Sequence, residues 1–358
     1  MPADLDAGNY LQRLIEGPPL ERSDARALAG LLMDGGATAS QIGGLLTALR
    51  VSGESPQIAA GFVDAMRQRA VTIRPHRQPL LDTCGTGGAK CRVFNVSTCA
   101  ALVAAAAGAT VAKHGNRAAT GICGSADVLE ALGVNIQMAP GDTASCIDAI
   151  GIGFLFAPAY HPATRAVAGP RRELGIRTIF NLIGPLTNPA GASLQLMGVY
   201  DSSLCGLAIA ALKELGIDRA IVVHGEDGLD EISSFGPTQV HELRDGDIRQ
   251  YTLTREALAL AGSPPPLQLL APARSAEENA QIVQKVLQMG AAPTPAVAAQ
   301  RELVAVNAAA CLRLCDLASS WPEATEAAMA VMESGAAWEK LEQLAAFGRV
   351  HKADSDVP

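Results

Sequence analysis

The chain has 358 residues, 49% of them hydrophobic and 4% aromatic, which is enough material for one large domain or two modest ones and is typical of a tightly packed α/β protein. A formal net charge of −8 at pH 7 argues against a surface for nucleic acid or anionic membrane. No charged segment followed by an apolar run opens the chain, and the most apolar stretch, residues 100–112, is too short to span a bilayer, so we expect a cytoplasmic protein without a membrane partner.

The first 70 residues predict a group of helices. Apolar residues recur there at helical spacing, and Gly35-Gly36 separates two of the runs. Residues suited to helix N-termini precede three of these runs, at Ser23-Asp24, Ser40 and Ser55-Pro56.

From residue 80 onward, short apolar runs alternate with helical segments. The pattern predicts strands at 110–113, 133–136, 153–157, 194–200 and 219–224, with helices at 125–132, 143–150 and 202–215. Such alternation indicates a mostly parallel sheet covered by helices, with ligands at the carboxyl ends of its strands. Strands at 240–243 and 248–251, joined through Asp245-Gly246, predict a hairpin, and residues 275–348 are again helical.

The stretch DTCGTGGAKCRVFNVST, residues 82–98, reads as a short strand, a glycine loop and the start of a helix. Backbone amides in a Gly-Thr-Gly-Gly turn can converge on an anion, and the following helix points its positive end at the same place. Asn95, Ser97 and Thr98 suit a helix cap and also offer oxygen ligands for phosphate or a hydrated metal. An ordinary strand-to-helix loop is also often rich in glycine.

Two further loops carry charge at predicted strand ends. Residues 113–117 (Lys-His-Gly-Asn-Arg) form a basic loop, whose plain alternative is a solvated turn. The adjacent carboxylates of Asp230 and Glu231 follow the strand at 219–224 and suit Mg²⁺ bound partly through water and phosphate. Together with the glycine loop, they predict a site for magnesium and a diphosphate.

An arginine-rich stretch at 171–178 offers planar guanidinium groups for a substrate carboxylate, although each could be an ordinary surface arginine. The eight cysteines have no regular spacing and are expected to be reduced thiols. Cys311 and Cys315 lie four residues apart on a predicted helix, where packing is favoured over metal binding because no second ligand pair accompanies them.

Several long segments resemble the anthranilate phosphoribosyltransferase family. They include ATASQIGGLLTALRVSGES, VAKHGNRAATGICGSADVLEALGV, RRELGIRTIFNLIGPLTNPAG, HGEDGLDEIS and AVNAAACLRL, and the resemblance covers nearly the whole chain. It implies a fold of the nucleoside phosphorylase and phosphoribosyltransferase type, with a small helical domain at 1–75 joined by residues from about 160–190. A larger α/β domain at 76–159 and 191–358 would bind donor and metal. The resemblance also implies a homodimer formed through the helical domain.

The implied reaction is attack by the amine of anthranilate on C1 of phosphoribosyl diphosphate, with release of diphosphate and a requirement for Mg²⁺. The resemblance assigns the sugar donor to Gly85, Thr86, Gly87, Gly88, Asn95, Ser97, Thr98, Lys113 and Thr120. It assigns anthranilate to Gly85, His114, Asn116 and Arg171, and the metal to Ser97, Asp230 and Glu231. It names no nucleophile and no general base, because an aromatic amine is a competent nucleophile when it is placed and desolvated.

The donor side departs from the family pattern. Where the family usually has an acid and a glycine after Gly-Thr-Gly-Gly, this chain has Ala89 and Lys90, and a further cation, Arg92, follows. A Ser-Ser-Lys run of the family becomes Thr120, Gly121 and Ile122. Three interpretations follow: Lys90 and Arg92 replace lost phosphate contacts, the chain uses a related aromatic acid or donor, or it binds ligand without catalysis. Intact Asp230, Glu231 and Arg171 favour catalysis on anthranilate.

Overall fold

Four helices open the structure, a computed structural model that describes residues 6–118, 122–290 and 293–355, with side chains described as far as residue 350. They are α1 (Ala7–Glu16), α2 (Arg22–Met33), α3 (Ala39–Ser52) and α4 (Pro56–Gln68). The predicted start of α4 is confirmed: the Ser55 side chain accepts a hydrogen bond from the Ile58 amide at 3.2 Å, and Pro56 is the first helical residue.

Two of these helices begin two residues earlier than the predicted serine caps. α2 follows Glu21, so Ser23 and Asp24 lie inside its first turn, where the Asp24 carboxylate forms an ion pair with Arg13 at 2.6 Å. α3 follows Thr38, which exchanges side chain–backbone hydrogen bonds with Gln41. This reciprocal pair satisfies two amide donors at the helix start, which a lone serine could not do.

A seven-stranded sheet has the order β3-β2-β1-β4-β5-β6-β7. Its strands are β1 (Leu80–Asp82), β2 (Thr110–Gly115), β3 (Ile152–Phe156), β4 (Leu194–Gly198), β5 (Arg219–Gly225), β6 (Thr238–Arg244) and β7 (Asp247–Leu253). Neighbours from β3 to β5 run parallel, and β6 and β7 add an antiparallel extension. The mostly parallel sheet predicted from the alternating pattern is therefore confirmed.

The predicted hairpin is the β6–β7 pair. Asp245 and Gly246 connect the strands with φ values of 52° and 80°, so both lie in the left-handed region. Two consecutive residues of this kind produce the tight turn that matches the twist of an antiparallel pair.

The strand predicted at 133–136 is wrong. Val134 and Ile136 are buried, but this segment connects two helices, α6 (Ser125–Ala131) and α7 (Pro140–Ile150), and pairs with no described strand. Asn135 between them faces outward far enough for its side chain to donate to the Gly348 carbonyl at 3.3 Å. The alternation of buried and polar residues reflects a connection that inserts every second side chain into the core.

Helices cover the sheet, and most of them pack in two large apolar cores. The remaining ones are α5 (Val96–Ala106), α8 (Ala157–Tyr160), α9 (Arg165–Leu174), α10 (Ile179–Ile183), α11 (Leu204–Glu214), α12 (Ala276–Leu287), α13 (Pro295–Leu314), α14 (Trp321–Glu333) and α15 (Ala336–Ser355). α5 and α13 are buried on almost every side and contact each other in the core that includes α12, α14 and α15. Four of these helices account for the helical tail that the sequence predicted.

The four N-terminal helices belong to a second apolar core. That core also contains Val167 of α9, Ile179 of α10 and the inner face of α11. The opening helices thus pack on residues from the middle of the chain, as they would if residues from about 160–190 belonged with them. Within the described residues, none of the helices combines the length and the apolar character needed to cross a bilayer.

Candidate active site at the carboxyl edge of the sheet

The ends of four parallel strands gather the predicted site residues. The glycine loop (residues 85–88) follows β1, the basic residues end β2, and the acidic loop (residues 226–231) follows β5. β4 lies between β1 and β5 and ends at Gly198. Because parallel neighbours run in the same direction, all four ends lie at one edge of the sheet.

The glycine loop is held against the end of β4. The Thr86 amide donates to the Gly198 carbonyl at 2.9 Å, and the Thr86 hydroxyl accepts from the Tyr200 amide at 3.1 Å. Gly87 and Gly88 have φ values of 63° and 80°, a region that glycine adopts without strain, and both are exposed. The loop is therefore anchored at Thr86 and presents exposed backbone at Gly87 and Gly88, which suits an anion.

Arg177, in the turn between α9 and α10, supports the same loop from the side. Its Nη2 donates to the Gly88 carbonyl at 2.6 Å, and its guanidinium lies 3.5 Å from the centre of the Tyr200 ring. The sequence placed this residue in an arginine-rich stretch and gave it no role of its own. Only the fold brings it to a loop that is 89 residues away in the chain.

The start of α5 presents polar atoms beside this loop. Asn95 precedes the first turn, but its side chain does not cap the helix; its Nδ2 donates to the Cys123 carbonyl at 3.3 Å, so the predicted capping role is wrong. The Asn95 Oδ1 and Thr98 Oγ1 atoms are buried and have no hydrogen-bond partner among the described residues. Leaving a buried oxygen without a hydrogen-bond partner destabilises the fold, so these two atoms are suited to bind a polar ligand.

The acidic loop packs directly on the end of β4. A Cβ on Gly198 would lie 1.6 Å from the Asp230 carbonyl oxygen, so only glycine permits this approach. Burial and the charge of Asp230 raise the pKa of Glu231 to about 8, against the opposing effects of Lys113 and the Ser97 amide. Burial also raises the pKa of Asp230, although its own amide, His224 and Arg177 oppose the shift.

Asp230 and Glu231 are adjacent, partly exposed carboxylates whose pKa values are both raised, so the cations around them do not fully compensate their charge. A cation would relieve their repulsion, and carboxylate oxygens are the ligands that Mg²⁺ prefers. Ser97 adds a hydroxyl at the start of α5, and its amide lies close enough to Glu231 to lower the pKa of that carboxylate. These residues therefore fit a magnesium ion.

Lys113 lies beneath this group. Its side chain is 3% exposed, and Nζ donates to the Thr83 hydroxyl at 2.9 Å. The Thr83 hydroxyl in turn donates to the Ser97 carbonyl at 3.1 Å. A chain of hydrogen bonds thus connects β2 to the start of α5, with the ammonium charge close enough to lower the pKa of Glu231.

A second set of possible metal ligands does not fit Mg²⁺. Ligand atoms of Asp82, Cys84 and His114 lie within 4.8 Å of one another. Both Asp82 oxygens are already used, by the His114 amide at 3.1 Å and the Asn188 side chain at 2.8 Å. Burial raises the pKa of the Cys84 thiol, which keeps it protonated, and Mg²⁺ does not favour sulfur. Asp82 instead connects the end of β1 to β2 and to Asn188 through hydrogen bonds.

Two neutral histidines lie on the side assigned to the aromatic acid. The His114 and His161 rings are 5.2 Å apart, and neither ring nitrogen of either has a hydrogen-bond partner among the described residues. Burial lowers the pKa of His114 to about 3 and that of His161 to about 4. The sequence did not predict His161 as a site residue, because its closeness to His114 depends on the packing of β3 and α8.

The other predicted acceptor residues lie on separate elements. Asn116 is exposed just after β2, and its Oδ1 accepts from the Arg117 amide at 2.7 Å. Arg171 of α9 is partly buried, with its guanidinium 5.0 Å from the Phe180 ring centre, and burial lowers its pKa. The predicted donor contact at Thr120 lies outside the described residues.

Comparison with known proteins agrees with this arrangement. Residues 9–70 match a family model described as the helical bundle domain of a glycosyl transferase family, and residues 77–338 match the a/b domain of that family. The fold and the site thus define a glycosyltransferase with a helical bundle and an α/β domain.

Similar sequences identify the family within the glycosyltransferases. A protein of Symbiobacterium thermophilum named anthranilate phosphoribosyltransferase is 45% identical over 96% of this chain and 98% of its own length. One of Anaeromyxobacter dehalogenans with the same name is 47% identical over 94% and 97%. The chain belongs to the anthranilate phosphoribosyltransferase family.

Solved structures show the same fold. The anthranilate phosphoribosyltransferase of Thermus thermophilus has a TM-score of 0.87 and 43% identity, over 96% of this chain and 100% of that one. The Saccharomyces cerevisiae enzyme in complex with phosphoribosyl diphosphate and Mg has a TM-score of 0.83 and 25% identity, over 96% and 98%.

Proposed function

We propose that this chain transfers the phosphoribosyl group of phosphoribosyl diphosphate to the amine of anthranilate and releases diphosphate, as a step of tryptophan biosynthesis. The observation that carries the proposal is the contact of Asp230 with the end of β4, which also holds the glycine loop. An acidic metal pair and an anion loop on opposite sides of one strand end suit a magnesium diphosphate.

In this proposal the donor binds through Gly85, Thr86, Gly87, Gly88, Asn95, Ser97, Thr98 and Lys113. The orphaned oxygens at the start of α5 support this assignment. Ser97, Asp230 and Glu231 would hold Mg²⁺, which, when bound, supplies positive charge to the leaving diphosphate. In the reaction the bond from ribose C1 to the diphosphate oxygen breaks and its electron pair leaves on diphosphate. A bond forms from C1 to the amine nitrogen, which gives up one proton to the released diphosphate or to water.

The acceptor side positions a nucleophile that needs no activation. Neutral His114, with Asn116 and Gly85, would contact anthranilate, and Arg171 would bind its carboxylate through a planar pair of hydrogen bonds. With pKa values of about 3 and about 4, the two buried imidazoles stay uncharged near neutral pH. Placement and exclusion of water are then the main contributions of this side.

We further propose a homodimer formed through the helical domain at 1–75, and a cytoplasmic location. Ile15 of α1 and Val51 of α3 support a contact at the helices, since they are 68% and 82% exposed although both are apolar. All eight cysteines are free thiols, which suits a reducing compartment.

The test follows anthranilate fluorescence and diphosphate release with and without Mg²⁺. We expect metal-dependent turnover in the wild type and its loss in Asp230→Asn and Glu231→Gln, which keep the shape of each side chain. Glu231→Gln removes the repulsion between two adjacent, partly exposed carboxylates, so we expect its Tm to be at least that of the wild type.

A control variant, Asp247→Asn, removes an exposed carboxylate on the β6–β7 hairpin and is expected to keep full activity. Turnover that survives in both acidic-loop variants would overturn the metal assignment. Binding of anthranilate without any consumption of it would instead favour a non-catalytic protein, and turnover of another aromatic acid alone would favour a related transferase.

A further inference from the structure

The segment at residues 89–92, where the chain departs from the family pattern, joins the glycine loop to the acidic loop. The Cys91 amide donates to the Gly228 carbonyl at 3.3 Å. A Cβ placed on Gly228 would lie 3.6 Å from the Lys90 Cβ, so the lysine stem starts directly above the acidic loop. The segment therefore lies between the two parts of the site that would bind diphosphate and metal.

Carboxylates surround this segment. Hydrogen bonds from Ser203 lower the pKa of Asp201, and the charges of His224 and Lys90 lower it further. Burial raises the pKa of Cys91, and the charges of Asp227 and Asp230 add to that shift. Lys90 thus lies within electrostatic range of Asp201, and its neighbour Cys91 lies within range of Asp227 and Asp230 in the acidic loop.

Lys90 differs from the other cations near the site because it is uncommitted. Arg177 is bound to the Gly88 carbonyl, and Lys113 is bound to Thr83. Lys90 is exposed and forms neither a hydrogen bond nor an ion pair with any residue that the structure describes, and the same holds for Arg92. An ammonium group on a flexible stem can therefore move onto a ligand without breaking an existing contact.

We propose that Lys90 binds the diphosphate of the sugar donor and neutralises it as it leaves. The inference rests on the proposed function and adds a donor-binding residue to it. Gly87 and Gly88 place exposed backbone three and two residues before Lys90, so an anion on the loop lies within reach of the lysine. Lys90 is favoured over Arg92 because, of these two cations, Lys90 is the one whose Cβ lies beside Gly228 and whose charge lowers the pKa of a nearby carboxylate, that of Asp201.

The first measurement compares Lys90→Ala, Lys90→Arg and Lys213→Ala, the last being a control on an exposed lysine of α11. We expect Lys90→Ala to raise KM for phosphoribosyl diphosphate by about tenfold, the usual effect of losing one charge-assisted hydrogen bond. KM for anthranilate and Tm should stay unchanged. Lys90→Arg should recover most of the loss, and Lys213→Ala should match the wild type.

The second measurement is calorimetric binding of magnesium diphosphate without the other substrate. Lys90→Ala should weaken this binding by the same factor, and added salt should reduce the difference between the variants. Equal affinity in Lys90→Ala and wild type would overturn the inference, as would a loss confined to Arg92→Ala. Binding is measured without turnover. An inactive wild type would therefore count against the proposed function, while the comparison of diphosphate affinities would still test the role of Lys90.

Discussion

Replacing Gly198 by Ala tests whether the end of β4 fixes the acidic loop in place. The new Cβ would lie 1.6 Å from the Asp230 carbonyl oxygen, whereas real Cβ atoms keep at least 3.0 Å from such a neighbour. The Asp230 backbone must therefore retreat by about 1.4 Å, the difference between these two distances. A displacement of this size moves the carboxylate of Asp230, a proposed metal ligand, and disturbs the glycine loop, whose Thr86 amide donates to the Gly198 carbonyl.

Two effects of different size follow from Gly198→Ala. Forcing a methyl group into a filled site costs about 1–3 kcal/mol of unfolding free energy, which lowers Tm by several degrees. Misplacing a reacting group by about 1 Å costs about 100-fold in rate. We therefore expect a folded protein with a modest loss of Tm and about 100-fold lower kcat/KM for the donor.

The assay pairs thermal unfolding with initial rates at several Mg²⁺ concentrations. Gly206→Ala is the matched control, because its Cβ would meet only His241 Cε1, at an ordinary 3.9 Å, and a helical Ala is favoured over Gly. It should keep full activity and gain slightly in Tm. A Gly198→Ala enzyme with wild-type kcat/KM and Mg²⁺ dependence would refute the argument that this contact positions the acidic pair.

Two further predictions concern the acceptor side and the glycine loop. The folded-state pKa of His161, about 4, lies below its usual 6.5, so the unfolded chain binds a proton first and stability falls as pH drops through 6.5 towards 4. His161→Gln should remove about 3 kcal/mol of this dependence, measured as denaturant unfolding between pH 4 and 8; identical pH profiles would show that the ring is not buried and neutral. Arg177→Ala loses a hydrogen bond and a ring contact, and should raise KM for phosphoribosyl diphosphate several-fold, while Arg172→Ala, an exposed neighbour, should not. Equal KM values in these two arginine variants would contradict a supporting role for Arg177.

The sequence allowed the sheet and its loops to be predicted because both depend on local patterns. Alternating apolar runs indicated the parallel strands, and Asp245-Gly246 indicated the hairpin turn. The error at 133–136 has a local cause as well, since a buried connection with alternate side chains in the core has the period of a strand. Periodicity reports which side chains are buried, and it does not report whether the backbone has a partner strand.

The site was predicted in outline, but its contacts between distant residues were not. The carboxyl ends of parallel strands must share an edge, which brought Thr86 and Asp230 to the same side of the sheet. No local pattern indicates that Gly198 contacts the acidic loop. No local pattern indicates that His114 lies beside His161 either. The sequence also did not indicate that Asp82 is buried and accepts hydrogen bonds from His114 and Asn188. A carboxylate at a strand end cannot be distinguished from a solvated one by sequence alone.

The two edges of the sheet are protected in different ways, which limits how copies of the chain can associate. β7 carries Asp247, Arg249 and Gln250 on exposed positions, and charged groups on an edge strand oppose pairing with another sheet. β3, at the other edge, has only five residues and is covered by α7. Continuous sheets between molecules are therefore disfavoured, which favours the helical faces over the sheet edges for contacts between copies of this chain.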